Sequence, residues 1–480
     1  VAIAAHRFGL GEAQLGASAG RDGREWLMRQ IGPAAPQLSS LPGESLPSAA
    51  DGLRRHAEFV QQRRQRREAA ATMAAPGMGD SAQASTEQQF GDHFRQLVLA
   101  DTRARLSTAA LTERPFAERL ALFWANHFTV SMVKASTRGL VGAFEREAIR
   151  PHIAGRFEVL LRAAVTHPAM LRYLDNDQSA GPNSAVVRRL AQRAQRTGDG
   201  QAPRVTGLNE NLAREVMELH TLGAAAARAG VYTQADVTAF AALLTGWRVP
   251  AVAYMTPPDD ASPTRFEPAW HEPGDKRLLG KSYPEGAQAV GDVLHDLAGH
   301  PATAQFIATK LARHFVADEP PPALVERLAQ TFLRSQGDLT QVYRSLIEAP
   351  EAWQAAPAKL KSPEELVLSC VRVLRLGQLA FQRQPDAGIS TLGQRVQAAP
   401  SPAGWPDKAE EWLGPDAVWK RVEWITRLTD RYGSQVDARV LAQASLGPLL
   451  SAGTARQIER AADASQALAL LLLAPEFQRR

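Results

Sequence analysis

Apolar side chains recur at three- and four-residue spacing along almost the whole chain, and strand-like alternation is scarce, so the core has to be assembled from helices. Residues 208–223, LNENLAREVMELHTLG, show the pattern. At about 100° of turn per residue, Leu212, Val216, Leu219 and Leu222 fall within roughly 60° of one axis. The expected fold is mainly α, a large multi-helix orthogonal bundle with a small β-hairpin excursion. The chain has 480 residues, 45% of them hydrophobic and 22% charged, which suffices for a large core and is unlike a disordered or collagen-like polymer.

Four sections are expected: an N-terminal helical section over 1–73, a flexible linker over 74–89, a central helical domain over 90–382, and a C-terminal helical section over 383–480 packed on the central one. Residues 53–71 read as one long helix carrying Arg63, Arg64, Arg66 and Arg67, a solvated charged face. Residues 175–207 read as a long loop, and 249–286 as a Pro-rich excursion. The excursion holds the hairpin candidate, 265–271 against 276–283 around Pro273, Gly274 and Asp275. Thr233 and Asp236 have the spacing of an acidic capping box, and His167-Pro168 and His300-Pro301 mark helix starts.

Several chemistries lack their usual flags. Cys370 is the single cysteine, which excludes an intrachain disulfide, a CxxC pair and a thiolate zinc site. There is no HExxH, Walker loop or dinucleotide fingerprint, so no cofactor is indicated and no metal site is expected. Gly16, Ser18 and Gly20 spell GxSxG without the strand that a nucleophile elbow needs. Ser131 and Lys134 give an SxxK spacing late in a helix, far from a helix N-terminus that would stabilise an oxyanion. Asp175, Asp177 and Ser179 alternate as in a calcium loop, but Ala180 stands where the turn glycine belongs. The excess of 55 Lys and Arg over 50 Asp and Glu is too mild to imply specific nucleic-acid binding. The longest apolar run, 467–474, is too short to span a bilayer, so no transmembrane segment is expected.

The candidate site grows out of the amphipathic segment. Glu215 falls on its apolar face, whereas Glu210, Arg214 and Glu218 form a polar ridge at i, i+4 spacing. His127 likewise shares a face with Leu120, Phe123, Trp124 and Phe128. A buried carboxylate is costly unless paired, so Glu215 is expected either to pair with His or Arg or to carry a raised pKa. His220 is roughly 140° from Glu215 around the helix, which makes His127 the expected partner. Glu215, Glu218, His127 and His220 are therefore the candidate catalytic residues. Asn176, Gln178, Asn183, Asn209, Asn211 and Arg214 are the candidate substrate contacts, with hydrogen-bonding groups suited to a polar ligand such as a sugar.

RLALFWANHFTVS at 119–131, HPAMLRYLDNDQSAGPNS at 167–184 and GLNENLAREVMELHTLG at 207–223 resemble the bacterial domain of unknown function 1800 family. The segments HEPGDKRLLGKSY, KSPEEL and SPAGWPD are similar to it too, so the resemblance runs through essentially the whole chain. It implies a bacterial, mainly helical protein, in many members exported and encoded beside a second exported family that would be its partner. It implies no catalytic residue. The expected function is a hydrolase-like enzyme acting on a polar, glycan-class substrate by carboxylate acid–base catalysis; the alternative is a noncatalytic binding or assembly protein of the cell envelope. The expected location is periplasmic or exported if a leader has been removed upstream of Val1, and cytoplasmic otherwise.

Overall fold

The structure, a computed structural model, describes residues 1–16, 22–39, 45–71, 81–197, 207–249, 263–354 and 357–480. It is mainly α, with two very short antiparallel strand pairs. Ser18 and Gly20 of the GxSxG string, and residues 74–80 of the expected linker, lie outside the described residues. Residues 81–89, also assigned to that linker, belong instead to the long helix Ser81–Leu111.

Helix starts follow local chemistry. The Thr233 hydroxyl accepts from Asp236 N and the Asp236 carboxylate accepts from Thr233 N at 2.8 Å, which satisfies two helix-end donors reciprocally. Ser362 and Glu365 make the same box at the start of Pro363–Val373. His167 and His300 each accept from the amide two residues on, at 3.1 Å, ahead of a first-position proline. These histidines are caps.

Two large apolar cores result, beside a small cluster of Ala2, Ala5 and Leu15. The larger gathers Phe8, Phe116, Trp124, Phe157, Leu212, Phe240 and Phe315; the smaller gathers Leu106, Leu366, Cys370, Ile389, Ile425 and Phe477. Each large side chain buried contributes about 1.5–3 kcal/mol. The polar tips are satisfied: Trp124 Nε1 donates to Tyr343 Oη, which donates to Ile153 O, both at 2.6 Å.

Three further expectations need correction. The 175–207 loop contains the helix Ala185–Thr197, which ends before the undescribed residues 198–206. The hairpin pairs differently: Arg265–Phe266 pairs with Trp247–Arg248, while Lys276–Leu278 folds back on Lys281–Tyr283. The helix at 208–223 is not uniformly α either, because Val216–His220 forms a π-helical turn after Asn211–Glu215. The wider i→i+5 turn resets the faces beyond residue 215, leaving Leu219 half-exposed and His220 fully buried.

Candidate functional site

The expected catalytic groups do not meet as expected. Glu215 is half-buried and has no hydrogen-bond or ion-pair partner among the described residues. Burial and the neighbouring Glu218 carboxylate push its pKa up, so of the two outcomes foreseen the unpaired one holds. His127 pairs not with Glu215 but with the chain at His220, donating from Nε2 to its carbonyl at 3.1 Å. The two rings lie 5.9 Å apart, and burial drives His220 down to about 3 and His127 well below the usual range. Both imidazoles are neutral, and His127 Nδ1 and both His220 ring nitrogens have no partner among the described residues.

Most of the amide cluster is tied into the fold by hydrogen bonds. Asn176 Nδ2 donates to the carbonyls of Leu244 and Trp247, at 3.2 and 3.0 Å. Asn183 meets Glu272 through both its backbone and side-chain nitrogens, and Asn209 bridges Ser179, Asp175 and Asn211. Gln178 reaches Asp175 at 3.5 Å, and Arg214 is held by Glu210 and Gln234. These bonds pin the 175–184 segment to its neighbours, while Asn176 Oδ1 stays buried with no partner among the described residues.

Glu215→Gln is expected to leave stability unchanged or slightly raised near neutral pH. A carboxyl whose folded pKa is raised costs stability once ionised, and the amide removes that cost. Denaturant unfolding between pH 5 and 8 checks this; a loss of several kcal/mol would mean a structural partner after all.

The cavity with the most chemistry lies elsewhere, between the two cores. Its volume is about 370 Å³, and His127 is the one residue from the expected set that lines it. Helix Ser81–Leu111 contributes Arg105, and Pro115–His127 contributes Arg119 and Asn126. Pro301–Phe315 contributes Lys310 and His314, one turn apart on the same face. The N-terminus of Pro363–Val373 adds Glu364 and Glu365. A loop adds Trp405 and Asp407, and it is fixed by Asn126, whose amide donates to Trp405 O at 2.9 Å and accepts from Trp405 N at 2.8 Å. Gly404 makes that approach feasible: its φ is 82°, and a Cβ there would stand 2.4 Å from Asn126 O.

Most charges around the cavity are paired. Arg105 bonds Glu145 and Glu364, and Glu365 accepts from Arg119 and from Arg480, the latter at 2.8 Å. Burial alone would raise the Glu365 carboxyl, yet Arg480 and Arg119 hold it at about 2. His314 Nδ1 lies 3.2 Å from Asp407 Oδ2, and its Nε2 faces Arg119 Nε at 3.4 Å. Burial lowers the His314 pKa to about 4 against the opposing pull of Asp407. Burial would also raise Asp407, but His314, Lys359 and Arg480 hold it far below the carboxylate range.

Lys310 is different. No carboxylate is within ion-pair distance of it among the described residues, and its Nζ stands 5.6 Å from the centre of the Phe306 ring. Burial pulls its pKa down to about 8, with Asp407 opposing and Arg313 reinforcing. An imidazole held by a carboxylate therefore shares a cavity with an ammonium whose pKa is near neutrality. The sequence did carry partial signals for these residues: KSPEEL and SPAGWPD contain Glu365 and Asp407, and the i, i+4 pair Lys310 and His314 follows a His-Pro helix start. No group of three or more His, Cys, Asp or Glu among the described residues is placed to hold a metal ion, and no described helix is long and apolar enough to cross a membrane.

A family model described as protein of unknown function, DUF1800, matches residues 3–479. No curated protein and no solved structure matches.

Proposed function

The chain belongs to the DUF1800 family, whose description assigns no activity, and from that premise we propose a hydrolase-like enzyme that takes a polar substrate into the cavity between its two cores. Glycans are the substrate class expected. The catalytic groups in this reading are His314 and Lys310, with Asp407 positioning the imidazole; Glu215 and Glu218 lie outside the cavity lining. The observation that carries the reading is the Asp407–His314 contact in a cavity whose other carboxylate and guanidinium groups are largely committed to one another.

The chemistry follows from the two pKa values. His314 is neutral above about pH 4, and Asp407 orients its Nδ1–H, which leaves the Nε2 lone pair to take a proton from water as that water attacks the substrate. Lys310 stays protonated below about pH 8 and can give its proton to the leaving oxygen. Substrate displaces the long Arg119 contact at Nε2. Activity should then rise with pH through about 4 and fall through about 8.

The test is turnover of aryl esters, aryl phosphates and aryl glycosides from pH 3 to 10. His314→Ala is expected to reduce kcat/KM by about 10²–10⁴ on the substrate that responds, and Lys310→Met to abolish the limb near pH 8. An unchanged profile in both variants sinks the reading.

The completed ion pairs around the cavity favour a second reading, a noncatalytic binding or assembly protein of the cell envelope that docks the co-encoded exported protein. Under it the wild type turns over no substrate of the panel, and pull-down of that protein persists in His314→Ala.

A further inference from the structure

A second hollow, about 540 Å³, opens on the far side of the helix Ser81–Leu111 from Arg105. Gln96, Ala100, Arg103 and Ser107 come to it at i, i+4, i+7 and i+11, one continuous stripe of that helix. Arg55 from Ala49–Ala71, Gln378 and Gln382 from the Gly377–Phe381 region, and Ser39 and Ser45 on either side of the undescribed residues 40–44 add to its polar wall. Leu46, Leu97 and Phe381 supply the apolar part.

Two features set it apart from the cavity between the cores. No Asp or Glu occurs among the described residues that line it, although it holds two arginines. Arg103 also lacks a counter-charge: its Nε is buried without a hydrogen-bond partner among the described residues, whereas Arg105, two positions along the same helix, is met by Glu145 and Glu364. The Arg103 terminal nitrogens also have no partner among the described residues and, unlike Nε, are not sealed off, so a planar carboxylate entering the hollow can meet them. The surrounding amides and hydroxyls each offer both donor and acceptor, the complement of a polyhydroxyl surface rather than of a bare ion.

We propose that this hollow binds an acidic saccharide unit, with its carboxylate on Arg103 and its hydroxyl groups on Gln96, Gln378 and Gln382. The site is independent of the proposed chemistry at His314 and Lys310, so the two stand or fall separately.

Calorimetric titration of the whole chain with a trimer of galacturonate, with the neutral glucose trimer and with inorganic phosphate tests it. The acidic trimer is expected to bind, the neutral trimer about 10- to 100-fold more weakly, and phosphate more weakly than the acidic trimer, because a charge-assisted hydrogen bond and the hydroxyl contacts both contribute. Arg103→Met should weaken the acidic trimer by about tenfold or more, with an unchanged or raised Tm because Arg103 has no partner among the described residues to lose in the fold. Arg103→Lys should recover part of the loss, since it restores charge without the fork. Equal binding of neutral and acidic trimers, equal binding of phosphate, full affinity in Arg103→Met, or no binding of the acidic trimer each overturns the proposal.

Discussion

Glu365→Gln is expected to destabilise the folded chain by about 3–5 kcal/mol at neutral pH, the scale seen when one partner of a buried ion pair is removed. Glu365 is nearly buried and carries three duties at once. It accepts from Arg119, accepts from Arg480, and closes the capping box by accepting from Ser362 N at 2.9 Å. The amide can keep part of the cap, but it leaves two buried guanidinium groups facing a neutral side chain. The pH dependence has a definite sign. A carboxyl held at about 2 contributes stability that is complete above its ordinary value of 4.5 and disappears as pH falls toward 2. Urea unfolding at pH 7 and pH 3 should therefore show a large gap between wild type and variant that narrows in acid. A gap below about 1 kcal/mol at pH 7 would place the pair in the class of weak, solvent-screened contacts instead.

Lys361→Met is expected to do the reverse and stabilise the chain. Lys361 is 1% exposed, its Nζ finds no hydrogen-bond partner among the described residues, and it sits 4.2 Å from the centre of the Phe477 ring. Burial, reinforced by Arg119 and Arg480, pulls the amine from 10.5 to about 7. The unfolded chain takes up a proton on this lysine below about pH 10, whereas the folded chain does so only near pH 7. Stability is thus lost as pH falls across that window and stays low beneath it, by an amount on the order of 5 kcal/mol at most. Methionine keeps the length and the contact with Phe477 and has no proton to lose. A gain of about 1–4 kcal/mol at pH 7, shrinking as pH rises to 9.5, is the expected result; a loss at pH 7 would show that the amine has a partner.

The parts of the fold that were legible in the sequence are those written in neighbouring residues. Helical periodicity marked the fold class, and Thr233 with Asp236, His167 with Pro168 and His300 with Pro301 marked helix starts that the structure contains. Strand pairing was harder because the strands are two or three residues long and carry no period. The tight hairpin turns at Leu279 and Gly280, with φ of 48° and 78°, the left-handed pair usually signalled by Asn-Gly. Leucine in the first of those places hides the signal. At the candidate site the obstacle was distance along the chain. Arg119 and Glu365 are 246 positions apart, so no local pattern joins them. Glu215, which constant-angle arithmetic sets on the apolar face, is half-buried, and the same arithmetic cannot anticipate a π-helical turn and so misplaces His220.

The seam between the two cores carries guanidinium, carboxylate and amine groups interleaved with apolar side chains such as Leu10, Phe123, Val130 and Phe144. Parting the halves along it would wet charged and apolar surface together. Such an opening breaks the Arg119–Glu365 pair that crosses it while each core keeps its own apolar contacts, so the smaller core should loosen as a unit. Native-state hydrogen exchange would then register two protection levels in one continuous chain, with the break falling between the helices Pro115–His127 and Pro363–Val373.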